Sequence, residues 1–177
     1  MELKTPLSEK DLISLKAGQV VLLNGTVYTA RDRAHQRFIE LLGRTQALPL
    51  DLKNKIIYYC GPNIKGDTLG ACGPTTASRM DVYMKAMYIQ GVAATIGKGQ
   101  REPAMRQLCK EYKRVYFVTH AGCAAYLRNR ITSYRLIAFG DLGAEAVFEF
   151  EVEKFPLIVA IDTQGNDIYE RLGTSSE

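Results

Sequence analysis

Three times in this chain a short apolar run ends in a small-residue or glycine-bearing loop and gives way to residues of helical pattern. KIIYYC (55–60) runs into Gly61-Pro62, VAATI (92–96) into Gly97-Lys98-Gly99, and RVYFVT (114–119) into the small-residue segment AGCAAYLRNR (121–130). Strands that alternate with helices in this way predict an α/β domain. Upstream, 19–30 (QVVLLNGTVYTA) reads as two β runs around Asn24-Gly25, the strongest short hairpin signal because both residues accept positive φ. TARDRAHQRFIELLGR follows. Thr29 and Asp32 are spaced like an acidic capping box, and Ala34, Phe38, Leu41 and Leu42 share a helical face, which puts Arg31 in the first turn. A helix is predicted from about Thr75, with Met80, Met84 and Met87 at helical spacing and Gly91 as its stop. Another is predicted over 102–112, with Pro103 in its first turn. Strands are expected near 134–139, 145–152 and 157–162, then a turn at 163–166, a short run at Ile168-Tyr169 and a frayed tail over 173–177. The sum is one domain, 1–177, with a mixed sheet.

A chain of 177 residues can bury roughly 70% of its unfolded surface as one domain. Its 46% apolar and 24% charged residues exclude a disordered or fibrous chain. No apolar run approaches the roughly 20 residues of a membrane helix. The best, 155–161, is a buried-strand candidate between Lys154 and Asp162. The start, MELKTPLSEKDLISL, lacks the pattern of a signal peptide, so a cytoplasmic location is expected. A net charge of +4 is too mild for a nucleic-acid binder and suits a small anion or an acidic partner surface. Cys60, Cys72, Cys109 and Cys123 form no C-x-x-C unit, and His35 and His120 are the only histidines. Reduced thiols and no self-contained metal site are therefore expected.

The segment GPTTASRMD (73–81) carries the most chemistry. In a helix begun at Thr75, free N–H groups and the dipole would favour an anion, and Thr75 and Arg79 would share a face one turn apart. A hydroxyl and a guanidinium there suit a carboxylate or phosphate. The alternative is an N-cap Thr and a surface Arg. Gly97-Lys98-Gly99 is not a P-loop, since Val92 stands where the first Gly belongs and Gly99 where Ser/Thr should follow the Lys. Lys98 between glycines can still approach an anion closely, or be a solvated turn residue. Arg31 is a third cation at a helix start, with a pairing to Asp32 as the alternative. His35, one turn on, reads as packed or surface rather than as a base. Glu145, Asp141 and Asp162 have no partner identifiable from spacing. Three cations at three loop-to-helix junctions fit a ligand with two carboxylates.

GTVYTARDRAH, IIYYCGP, GPTTASRMDVY, IGKG and EAVFEFEVEKFPLIVAIDTQGN, in that order, resemble the β subunit, or C-terminal domain, of class I iron–sulfur fumarate hydratases. The β subunit of L(+)-tartrate dehydratase is similar in the same segments. The likeness covers about 8–170, with GPTTASRMD its most specific part and IGKG less so. It implies a single swivelling β/β/α domain, inactive alone, and an α subunit whose three cysteines hold a [4Fe–4S] cluster. It also implies reversible loss of water from a dicarboxylate such as (S)-malate, an α₂β₂-like assembly, Thr75 as the catalytic group for the C3 proton, and Arg31, Arg79 and Lys98 as carboxylate binders. Cys72 departs from the pattern, which has a small residue such as Ala before Gly73. A stand-alone anion-binding module is the reading of another class, and malate and tartrate remain open as substrates.

Overall fold

The computed structural model describes residues 1–66 and 68–173. In chain order the elements are β1 (Glu2–Lys4), α1 (Glu9–Ser14), β2 (Val20–Thr29), α2 (Asp32–Gly43), β3 (Ile56–Tyr58), β4 (Ile64–Lys65), β5 (Thr68–Leu69), a 3₁₀ turn (Ala77–Met80) and α3 (Asp81–Ile89). There follow β6 (Ala94–Gly97), α4 (Ala104–Tyr112), β7 (Val115–Val118), α5 (Ala124–Arg128), β8 (Ile131–Ala138), a 3₁₀ segment (Gly140–Glu145), β9 (Val147–Ile161) and α6 (Ile168–Gly173).

The order β1-β2-β3-β6-β7-β9-β8 makes a mixed sheet in an α/β fold. β1, β2, β3, β6 and β7 run parallel, and β9 runs antiparallel to β2, β7 and β8. Because β9 pairs with both β2 and β7, the hydrogen-bonded ladders close into a ring, which hides most of the sheet's edges. β3, β6 and β7 are buried along their whole length. That is why they read as continuous apolar runs rather than as alternations. Their side chains still alternate in direction. Tyr58, Ile96 and Phe117 join Val21, Leu23, Val27, Phe150 and Phe155 in an inner cluster. Tyr59 and Tyr116 join Phe38, Met84, Met87 and Cys109 in an outer one, beneath the helices.

Several sequence expectations are corrected by this architecture. Asn24-Gly25 turns no hairpin, because β2 runs on through it, paired to β9 on both sides. The register shifts there, with the additional residue on β9, where Lys154 is left-handed (φ 47) and its N–H donates to Asn24 Oδ1 at 2.9 Å. The turn-forming residues serve a β-bulge instead. The two strands expected at 145–152 and 157–162 are one strand bent at that bulge. Thr29 caps no helix. It is the last, fully buried residue of β2, and its hydroxyl donates to the Ala146 carbonyl and accepts from Phe148 N. The helix expected from Thr75 starts six residues later as α3, because Thr76 is extended and bridges to Lys98. The segment 121–130 is helical only over Ala124–Arg128, and the short run at Ile168-Tyr169 opens a helix. β1 and α1 have no counterpart in the sequence reading, being too short to show a period. Gly173 ends α6, and the rest of the expected tail, 174–177, lies outside the described residues.

Candidate functional site

The C-terminal ends of β2, β3 and β6 lie side by side, with Tyr28 opposite Ile57 and Tyr58 opposite Ile96. Loops leaving such ends are the usual ligand-binding edge of an α/β sheet. Here they deliver all four residues singled out from the sequence. Arg31 follows β2, the chain leaving β3 leads to Thr75 and Arg79, and Lys98 follows β6.

Thr75 is held from both sides. Its N–H donates to the Tyr59 carbonyl at 2.7 Å and its hydroxyl to the same oxygen at 3.0 Å. Its own carbonyl accepts from Lys98 N at 3.1 Å, and the Lys98 carbonyl accepts from Ala77 N at 3.0 Å. Thr75 and Lys98 are therefore joined through the backbone. Gly97 makes this possible, since a Cβ there would sit 2.8 Å from the Tyr59 ring and 3.0 Å from Ala77 Cβ. The hydroxyl proton points to a carbonyl that can only accept, so the lone pairs of Oγ1 are left for another partner. No carboxylate pairs with Lys98 among the described residues.

Arg31 and Arg79 meet on Asp32. Arg79 forks onto it, Nε to Oδ1 at 3.1 Å and Nη2 to Oδ2 at 2.9 Å. Arg31 stands farther off, 4.0 Å from Asp32 and 3.8 Å from Glu145, and its buried Nε has no hydrogen-bond partner among the described residues. Arg31 is the N-cap of α2 rather than a first-turn residue and supplies no side-chain cap. Glu145 does, accepting from Arg33 N at 3.0 Å. One free amide at the start of α2 is thus taken by the protein's own carboxylate. Spacing offers Asp32 only to Arg31, not to Arg79 47 residues away, and it offers no partner for Glu145, which meets an amide 112 residues away. The other carboxylates have structural roles. Asp141 pairs with Arg37, and Asp162 takes the amides of Ala17, Gln164 and Asn166.

His35 is fully buried, with Nδ1 2.8 Å from the Arg31 carbonyl and its ring stacked on Tyr83 at 5.6 Å. Since that carbonyl only accepts, Nδ1 carries the hydrogen. Burial pushes the His35 pKa down to about 4, so the imidazole is neutral packing beneath Arg31. Cys72 is buried in the inner core, its thiol donating to the Gly70 carbonyl at 3.3 Å. A cavity of about 700 Å³ is lined mainly by apolar groups such as Ile64, Tyr134, Leu136 and Phe148. It reaches the site only at Gly61 and Ala144, which flank the Arg31 side chain. The four residues themselves do not line it.

No three His, Cys, Asp or Glu side chains among the described residues are arranged to hold a metal. Cys109 belongs to the outer cluster, Cys60 and Cys72 to the inner one, and Cys123 is exposed. These thiols do not fit an iron–sulfur cluster, which needs several converging on one point. No helix among the described residues is long and apolar enough to cross a membrane.

The chain is similar along most of its length to proteins of known family. The chain is 42% identical over 174 residues to the putative L(+)-tartrate dehydratase subunit beta of Methanocaldococcus jannaschii, covering 94% of this chain and 89% of that one. It is 35% identical over 173 residues to the L(+)-tartrate dehydratase subunit beta of Escherichia coli K12, covering 94% and 85%. Fumarate hydratase 2 of Leishmania major is 37% identical over 177 residues, 97% of this chain but only 31% of that longer protein. The sequence pattern described as Fumarase C-terminus matches residues 1–172, and with relatives this similar across the same span, the chain belongs to the fumarase C-terminus family.

Proposed function

We propose that this chain is the beta subunit of a cytoplasmic iron–sulfur hydro-lyase that adds water to, and removes it from, a dicarboxylate, with (S)-malate and fumarate as the first pair to test. One observation carries the reading. Three cations gather at one sheet edge, and one of them, Arg31, holds a buried Nε that among the described residues has no hydrogen-bond partner and no carboxylate closer than 3.8 Å. Such a guanidinium is short of an acceptor, and a substrate carboxylate would supply two.

In this reading Arg31 grips one carboxylate by its fork, and Arg79 and Lys98 neutralise the other. Asp32 keeps the Arg79 fork oriented, so the guanidinium has little rotamer freedom left to lose on binding. Thr75 Oγ1, its own hydrogen committed to the Tyr59 carbonyl, presents lone pairs toward the C3 proton. A neutral hydroxyl is a poor base, and nearby positive charge is what strengthens it for this role. The cluster is assigned to a partner alpha subunit, where it supplies Lewis-acid chemistry at the hydroxyl that leaves.

The test is anaerobic assay of the assembled complex. The chain without its partner should be inactive, and Arg31→Lys, which keeps the charge but loses the fork, should lower kcat/KM by about 10²-fold. Turnover near the wild-type value in Arg31→Lys would overturn the site. A second reading, L(+)-tartrate dehydration, is favoured by the two beta-subunit relatives, whose lengths this chain nearly spans. Comparing kcat/KM for (S)-malate and L(+)-tartrate decides between them.

A further inference from the structure

We infer that Arg101 is a positioning residue that ties the Thr75 loop to the Lys98 loop from beneath, an assignment that rests on the reading of Thr75 and Lys98 given above. Arg101 lies three residues after Lys98, where a loop arginine would ordinarily face water. Its side chain is fully buried instead. Nε donates to Asp81 Oδ1 at 2.6 Å, and Nη1 donates to Thr95 Oγ1 at 3.1 Å and to the Tyr59 hydroxyl at 3.3 Å. The guanidinium carbon stands 5.5 Å from the Tyr59 ring centre and 4.9 Å from that of Tyr116.

Three of these partners lead to the site. Tyr59 is the residue whose carbonyl holds both the N–H and the hydroxyl of Thr75. Asp81 closes the GPTTASRMD segment and opens α3, and its other oxygen accepts from Glu102 N at 2.9 Å, beside Arg101 itself. Tyr116 donates its hydroxyl to the Gly99 carbonyl at 2.8 Å, next to Lys98. One buried cation therefore sets the spacing of two loops that are otherwise joined by the Thr75–Lys98–Ala77 backbone bonds and the Asp81–Glu102 hydrogen bond. Burying an ion pair is a poor way to gain stability, because desolvation offsets most of the attraction. What the pair contributes is a fixed register, and the planar fork is needed because an ammonium cannot reach Asp81, Thr95 and Tyr59 in one geometry.

The experiment has two readouts. In the full chain alone, hydrogen exchange of the Thr75, Ala77 and Lys98 amides should be at least tenfold faster in Arg101→Lys, with the β2–β9 ladder unchanged. In the assembled complex, Arg101→Lys should lower kcat per folded molecule at least tenfold. If Arg101→Lys does not fold, Thr95→Val and Tyr116→Phe, which each remove one tie and no charge, should speed exchange at 75–77 and 97–99 respectively. Unchanged exchange at these amides, or an equal rise throughout the molecule, would overturn the assignment. A wild-type complex inactive on both dicarboxylates would sink the proposed function instead, and the exchange result would still decide the role of Arg101.

Discussion

Burial sets the chemistry of His35. Desolvation brings its pKa from 6.5 down to about 4, against the opposing hydrogen bond to the Arg31 carbonyl. The folded state thus binds fewer protons at this site than the unfolded state between pH 4 and 6.5. The stability tied to neutral His35 is fully present above pH 6.5 and is lost as pH falls toward 4, by about 3 kcal/mol. Thermal melts from pH 7 to 4.5 should therefore slope less in His35→Phe than in the wild type, and equal slopes would contradict the account. The four candidate residues stand out in the sequence by type, and the structure places them in the segments that follow β2, β3 and β6. Their partners are only partly legible. Spacing offers Asp32 as a partner for Arg31, and in the structure it stands 4.0 Å from Arg31 while also taking the fork of Arg79, 47 residues away, which no spacing shows.

Elements with a clear period, α2 and α4, were legible to within two residues, as was the apolar run of β7. Elements that depend on distant partners were not. Asn24-Gly25 has the chemistry of a tight turn, yet the ladder to β9 outweighs that local preference and the pair sits opposite a bulge. Gly25 nonetheless needs to be glycine. Its φ is 96° and a Cβ would lie 2.4 Å from Thr5 Oγ1, the oxygen that accepts from Thr26 N. Gly25→Ala should cost about 2 kcal/mol and lower Tm by roughly 4–8 °C, measured by calorimetry. The Thr pair after Pro74 looks like a helix start from its composition. It stays out of the helix because its N–H and carbonyl groups bond across to Tyr59 and Lys98. The cap of α2 comes from Glu145, so the expected cap at Thr29 is not needed.

At the scale of the whole molecule, the ring of strands makes the inner and outer cores share their walls, since β3 and β7 contribute alternate residues to both. The two cores should unfold together. Phe150, fully buried opposite Val27 at the seam that closes the ring, is the residue to test. Phe150→Ala should cost about 3–5 kcal/mol, with urea transitions followed by tyrosine fluorescence and by far-UV circular dichroism still coincident. Separate transitions would show that the cores are independent. The sequence by itself determined the α/β class, the apolar strands and the cationic residues at their ends, because hydrophobic periodicity and residue chemistry act over a few positions. Only the tertiary structure decided that β2 and β9 join as single long strands, that Thr75 stays out of a helix, and which carboxylate faces which arginine. Those outcomes depend on ladders, close approaches and ion pairs between residues 16 to 138 positions apart, and no local pattern encodes them.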